Sequence, residues 1–221
     1  ASGMVKAIMD ELYPYFVGEK TLPNKLKLSL ACCINMCGAI HATDLAVVGV
    51  HTKIPAVNDE TFNAQCETPT TMAGCPTGAI RRHPDKDIKS VVVSEEKCMY
   101  CGNCYTICPS MPIANPENDG VMIYVGGKTA NVRTPSMLSR VAVPFIANNP
   151  PRWPEVIGVL KTIIETYAKD ARSPERVGEW IERIGWEKFF ERTGLPFTSQ
   201  CIDDFGAGAR ASLRASTQFK W

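Results

Sequence analysis

One run of cysteines constrains this chain more than any other feature: Cys98-Met99-Tyr100-Cys101-Gly102-Asn103-Cys104-Tyr105-Thr106-Ile107-Cys108-Pro109. Three thiolates at C-x2-C-x2-C spacing wrap a tight loop around three irons of a cubane. In the two-cluster arrangement, the cysteine three residues further on, followed by proline, ligates the other cluster. The fourth ligand of the present run must then come from a second Cys-Pro, and Cys75-Pro76 supplies it. Counting back from Cys75 by the same offsets reaches Gln65, Thr68 and Thr71, with Cys66 one position out of register. A second cluster has therefore lost its triplet. The expectation is one [4Fe–4S] cluster on Cys75, Cys98, Cys101 and Cys104, serving as an electron relay because no catalytic group accompanies the loop. Cys108 would be left as a small buried apolar residue. In the rival assignment, Cys108 is the fourth ligand and Cys75 is free. Zinc is the alternative for any cysteine cluster, but four cysteines in this rhythm followed by proline favour iron–sulfur.

Ten cysteines in 221 residues also raise the possibility of a disulfide framework. Such frameworks belong to short secreted chains with dispersed cysteines, and these are clustered without a secretion signal. Lys and Arg number 24 against 23 Asp and Glu, which leaves no field strong enough to draw nucleic acid or an anionic membrane. The longest apolar stretches, Leu45–Val50 and Val141–Ala147, fall far short of the ~20 residues that span a bilayer. The chain reads as soluble and cytoplasmic.

Val5, Ile8, Met9, Leu12 and Tyr13 recur at helical spacing and predict an amphipathic helix over 2–16. Lys25–Leu30 alternates as a strand, and Asp44–Val50 reads as a more buried one. The Pro- and Asn-containing stretch 55–76 predicts a loop and a domain boundary. Ile88–Val93 and Val121–Val125 predict strands. Pro154 starts a helix, and Ser173-Pro174-Glu175 starts another that Gly194 ends. The Trp180, Phe189 and Phe190 stripe reads as core or subunit interface.

A second motif precedes the relay run. In Ala31-Cys32-Cys33-Ile34-Asn35-Met36-Cys37-Gly38, a C-x3-C pair is followed, after six intervening residues, by Asp44-Leu45-Ala46-Val47. This pattern resembles the siroheme nitrite/sulfite reductase signature, with Ala31-Cys32 where assimilatory members usually carry Ser/Thr-Gly. The doubled cysteine and the downstream relay module are similar to the beta subunits of dissimilatory sulfite reductases. So are Glu96–Tyr105, Pro150–Pro154, Ile184–Glu191 and the ending Thr217–Trp221, so that the resemblance covers essentially the whole chain.

The resemblance implies an α+β fold, a mixed sheet with helices, carrying an inserted ferredoxin-like [4Fe–4S] module. Residues 1–63 and 126–221 would form the reductase body and 64–125 the insertion. It implies siroheme and two [4Fe–4S] clusters, one of them coupled to the siroheme through Cys32, Cys33 and Cys37. Cys37 would bridge cluster and siroheme iron, with Gly38 leaving room for the macrocycle. The fourth ligand of that cluster lies upstream in the family and no cysteine precedes Cys32, so the chain is expected to be a C-terminal portion, inactive alone. A sheet edge and apolar surface would be left uncovered. Lys25 and Lys27 share a strand face. They are either solvated or catalytic, set over a siroheme to neutralise sulfite or tetrapyrrole carboxylates and to supply protons. The family's pseudo-twofold logic would place them over the siroheme held by the alpha subunit. His41 is expected as a hydrogen-bond donor beside the site rather than an axial ligand. The implied reaction is multi-electron reduction of sulfite toward sulfide, or its reverse. The implied partners are an alpha subunit in an α2β2 assembly and a small sulfur-carrier protein with C-terminal cysteines. The alternative is a non-catalytic ferredoxin-type electron-transfer protein.

Overall fold

The structure, a computed structural model, describes residues 1–130 and 134–202. The Thr217–Trp221 ending lies outside the described residues. The chain divides into two compact units. One comprises Ala1–Ala31, Cys37–Val48 and the described residues from Val121 on; the other comprises Cys32–Met36 and Gly49–Gly120. The fold class is α+β. No helix among the described residues is long and apolar enough to cross a membrane.

The first unit opens with α1 (Ser2–Glu11) and the short α2 (Tyr13–Phe16). The single helix expected over 2–16 is interrupted at Leu12, because Pro14 has no N–H to continue the ladder. Strand β1 (Leu28–Ala31) begins three residues later than the Lys25–Leu30 alternation predicts. Side chains take its leading N–H groups: Lys25 N–H donates to Asn24 Oδ1 and Lys27 N–H to Asp44 Oδ2. β1 pairs in parallel with β2 (Leu45–Val50), Leu28 opposite Leu45 and Ala31 opposite Val48. The sheet order is β1-β2-β5-β6, so β1 is an edge.

The second unit holds the stretch expected as loop. Its turn-forming residues instead start helices, α3 (Asp59–Gln65) and α4 (Thr68–Ala73). Asn58 Oδ1 accepts from Thr61 N–H at 3.2 Å to cap the first. Pro69 occupies the first turn of the second, where its missing N–H costs nothing. β3 (Ile80–Arg82), which the sequence reading missed, pairs antiparallel with β4 (Val91–Val93), only the last part of the Ile88–Val93 prediction. The helix α5 (Asn103–Ile107) carries Cys104. Phe62, Ile80, Val91, Cys104, Cys108 and Met111 form the core of this unit.

The chain then returns through β5 (Gly120–Val125) and β6 (Arg140–Ala147), the latter again unpredicted, to α6 (Pro154–Asp170), α7 (Val177–Ile184) and α8 (Trp186–Thr193). The helix expected to start at Ser173 starts at Val177, where the Glu179 carboxylate accepts the Arg176 N–H at 2.8 Å. It breaks at Gly185 and ends at Gly194, whose φ of 65° is the left-handed helix stop. Val121, Ile123 and Val125 alternate onto the helices, and Leu160, Ile163, Trp180 and Phe189 fill the core against them. The aromatic stripe is thus core. Cys201 is buried there too, its thiol against the Ala142 carbonyl at 3.7 Å.

Two buried ion pairs brace this unit. Asp44, fully buried, accepts from Arg176 Nε at 3.0 Å and from its Nη2, besides the Lys27 N–H. Lys128, 1% exposed, donates to Glu179 at 2.8 Å and to the Thr134 hydroxyl. Burial would raise the Glu179 carboxyl. The donors Lys128, Thr134 and Arg176 N–H overcome it and hold the group at about 2.

Candidate metal centre

Cys75, Cys98, Cys101 and Cys104 line one pocket. Local backbone geometry places them. Cys75 follows the end of α4 at Gly74. A 3-10 turn over Glu95–Lys97 delivers Cys98, and left-handed residues Tyr100 (φ 55°) and Gly102 (φ 71°) curl the loop around Cys101. Cys104 sits in the first turn of α5, and Asn103 Nδ2 donates to the Gly74 carbonyl at 2.5 Å, tying Cys104's segment to that of Cys75. Cys101 and Cys104 are buried, while Cys75 and Cys98 are half-buried.

The electrostatics ask for a cation. Burial pushes the Cys104 thiol up to about 11, and the neighbouring Cys101 and Cys98 add to the rise. Burial also works against the Cys75 thiolate, but the Thr77 hydroxyl and the N–H groups of Ile80, Thr77 and Ala79 outweigh it and lower that pKa. Ala79 N–H lies 3.2 Å from the sulfur. Several thiolates crowd this pocket only if positive charge enters with them. One zinc ion gathers its sulfurs at about 2.3 Å from one point, whereas a cubane gives each iron its own thiolate. Four thiols around an apolar pocket, walled by Pro55, Ile80, Val93 and Ile113, fit an iron–sulfur cluster.

Cys108 is neither a ligand to this pocket nor an orphan. It is bonded to Cys66, with Cα atoms 5.6 Å apart. Cys66 ends α3 and Cys108 ends α5, so the bond joins the ends of two short helices.

The second cysteine loop is placed as follows. Cys32 is exposed and Cys33 half-buried, both in the second unit, while Cys37 and Gly38 are exposed residues of the first. Cys33 Sγ accepts from Asn35 Nδ2 at 3.3 Å. A Cβ on Gly38 would stand 3.2 Å from the Leu30 carbonyl, so the main chain already crowds that position. Lys25 and Lys27 are exposed and line an open cavity of about 830 Å³ whose other walls include Met9, Leu12, Phe16 and Leu30. His41 sets its ring edge-on to Tyr124 at 5.6 Å.

Three features escaped the sequence reading. His51 Nδ1 lies 3.3 Å from Asp119 Oδ2, and that carboxylate also accepts from the Asn115 and Thr52 N–H groups. Burial would raise the Asp119 pKa, and these donors lower it instead. The Cys66–Cys108 bond and the contacts of Asn35 are the others. No local pattern announces the His51–Asp119, Cys66–Cys108 or Asn35–Cys101 contacts, since these join residues dozens of positions apart.

The family model for the nitrite and sulphite reductase 4Fe-4S domain matches residues 1–200. The dissimilatory-type sulfite reductase subunit beta of Archaeoglobus fulgidus is 54% identical over 223 residues, covering 100% of this chain and 60% of that protein. Its counterpart from Nitratidesulfovibrio vulgaris is 50% identical over 225 residues, covering 100% and 59%. The chain thus spans about 60% of the length of these relatives. Among solved structures, one titled as the crystal structure of dissimilatory sulfite reductase I shares the fold, with a TM-score of 0.71 at 23% identity over 91% of this chain and 49% of that one.

Proposed function

The chain belongs to the nitrite and sulphite reductase 4Fe-4S domain family, and from that membership we propose that it is part of a dissimilatory-type sulfite reductase beta subunit. Residues 64–125 are its relay insertion, and residues 1–63 and 126–221 its contribution to the reductase body. The observation that carries the reading is the convergence of Cys75, Cys98, Cys101 and Cys104 on one pocket. These thiolates hold the relay [4Fe–4S] cluster, and the Ala79 N–H aimed at Cys75 stabilises the charge on its sulfur. Cys32, Cys33 and Cys37 would hold the siroheme-coupled cluster, with Cys37 and Gly38 next to the siroheme.

When bound, siroheme and its coupled cluster supply the electrons and the sulfur-binding iron for reduction of sulfite toward sulfide. The chain's own residues bind and protonate. Lys25 and Lys27 present two ammonium groups from the segment entering β1. They neutralise sulfite or the tetrapyrrole carboxylates, and each holds a proton where an oxygen leaves sulfur as water. Asp44, through the Lys27 N–H at 2.8 Å, sets the position of that segment. The partners are an alpha subunit in an α2β2 assembly and a small sulfur carrier with C-terminal cysteines. The protein works in the cytoplasm.

Anaerobic iron and acid-labile sulfide contents, with a visible spectrum, test this on the full-length subunit coexpressed with an alpha subunit. Two cubanes per beta chain and a siroheme band are expected. A single cubane without a tetrapyrrole band would reduce the protein to a ferredoxin-type electron carrier and remove the role given to Cys32, Cys33 and Cys37.

A further inference from the structure

The side chain of Asn35 touches both cysteine loops. Its Nδ2 donates to Cys33 Sγ at 3.3 Å and to the Cys101 carbonyl at 3.0 Å, 66 residues away. Cys33, Asn35 and Cys101 all belong to the second compact unit. The amide can face only one way here. A carbonyl and a metal-bound thiolate are both acceptors, so the two hydrogens of the NH2 group match them and the amide oxygen would match neither. The loop is seated by close backbone contact: a Cβ on Gly49 would lie 2.2 Å from the Cys32 carbonyl, so only glycine lets β2 approach it.

We infer that Asn35 is the positioning residue that wires the relay cluster to the siroheme-coupled cluster, through a hydrogen-bonded path from the Cys101 main chain to the Cys33 sulfur. This rests on the proposed function, which gives Cys101 to one cluster and Cys33 to the other. The path runs from Cys101 Sγ through its own Cβ, Cα and carbonyl, across one hydrogen bond into the amide, and across a second to Cys33 Sγ. Tunnelling through covalent and hydrogen bonds falls off less steeply than through unfilled space. One electron leaves the relay cluster and one arrives at the coupled cluster, with no bond broken and no proton moved. The N–H donated to the Cys33 thiolate also stabilises the added charge, which favours transfer in the direction of the siroheme.

The test uses the complete alpha–beta complex with full-length subunits, mixed with dithionite and freeze-quenched for EPR at successive times. Asn35→Leu removes both donors at similar size, and Asn35→Asp keeps the shape while presenting acceptors. In both, the relay signal should appear at the wild-type rate, and its passage to the coupled centre should slow by about tenfold or more. Wild-type rates in both variants would overturn the inference. Wild-type complex carrying 15N only in asparagine side-chain amides provides a check that needs no variant. Pulsed EPR of the reduced coupled cluster should show a 15N coupling. Its absence overturns the link even if the variants lose a cluster. A wild-type complex with a single cluster signal per beta chain would instead sink the proposed function, so the two failures are distinguishable.

Discussion

Replacing Asp44 with asparagine tests whether the buried acid between β1 and α7 organises the segment entering β1 that carries Lys25 and Lys27. Asp44 is fully buried and accepts three donors: Lys27 N–H at 2.8 Å, Arg176 Nε at 3.0 Å and Arg176 Nη2. The carboxamide retains one acceptor oxygen and turns an NH2 group toward the remaining donors. The Arg176 side chain, 12% exposed, then loses its counter-charge. Stranding a buried charge costs about 3–5 kcal/mol, and two charge-assisted hydrogen bonds at about 1.5–3 kcal/mol each lead to the same range. At about 2–4 °C per kcal/mol for a chain of this size, the midpoint of thermal unfolding should fall by roughly 10 °C. Far-UV circular dichroism measures this in wild type, Asp44→Asn, Arg176→Met and the double variant. The double variant should recover part of the loss, because removing both charges leaves neither stranded. Amide exchange at Lys27 should accelerate in Asp44→Asn. A loss below about 1 kcal/mol, or a double variant no better than the single, would refute the reasoning, since both follow from a stranded charge.

Glu179 provides a pH test. Its pKa falls from 4.5 to about 2 on folding, so its stabilisation is fully present above pH 4.5 and is lost as pH falls toward 2. At 1.36 kcal/mol per unit this is about 3 kcal/mol, and urea midpoints of wild type should drop across that window more than those of Glu179→Gln; parallel profiles would count against it. Cys101→Ser in the full complex should abolish the relay cluster's EPR signal and leave the siroheme band intact, and loss of both together would show the two centres to be interdependent. The Cys66–Cys108 bond closes a loop of sequence separation 42. Constraining that loop in the unfolded chain is worth about 4 kcal/mol, so Cys66→Ala should destabilise the protein by that order in the absence of reductant and by little in its presence. Peptide mapping under alkylating conditions should recover the two cysteines cross-linked; finding both alkylated would contradict the bond.

The relay loop was legible because cluster ligation is written in local spacing. Three thiols within seven residues can reach neighbouring irons only if the loop curls, and the left-handed Tyr100 and Gly102 provide that curl. Element boundaries were less legible. The 2–16 helix and the Lys25–Leu30 strand follow correct periodicities, yet both were trimmed. Pro14 interrupted the first, and the Asn24 and Asp44 side chains took the hydrogen bonds of the second. The stretch 55–76 misled for a related reason: Asn and Pro serve helix starts as readily as loops.

By itself, then, the sequence determined the chemistry of the cysteine run, the likeness to siroheme reductases and the apolar faces of most helices and strands. Each of these depends on neighbours within a turn, a strand or a ligand loop. Tertiary structure alone decided that Cys66 meets Cys108, that Asp44 meets Arg176 across 132 residues, and that Asn35 touches Cys101. Such pairs carry no period and no fixed spacing. They arise only when packing excludes water, and a buried polar group must then find its partner wherever the fold has brought one.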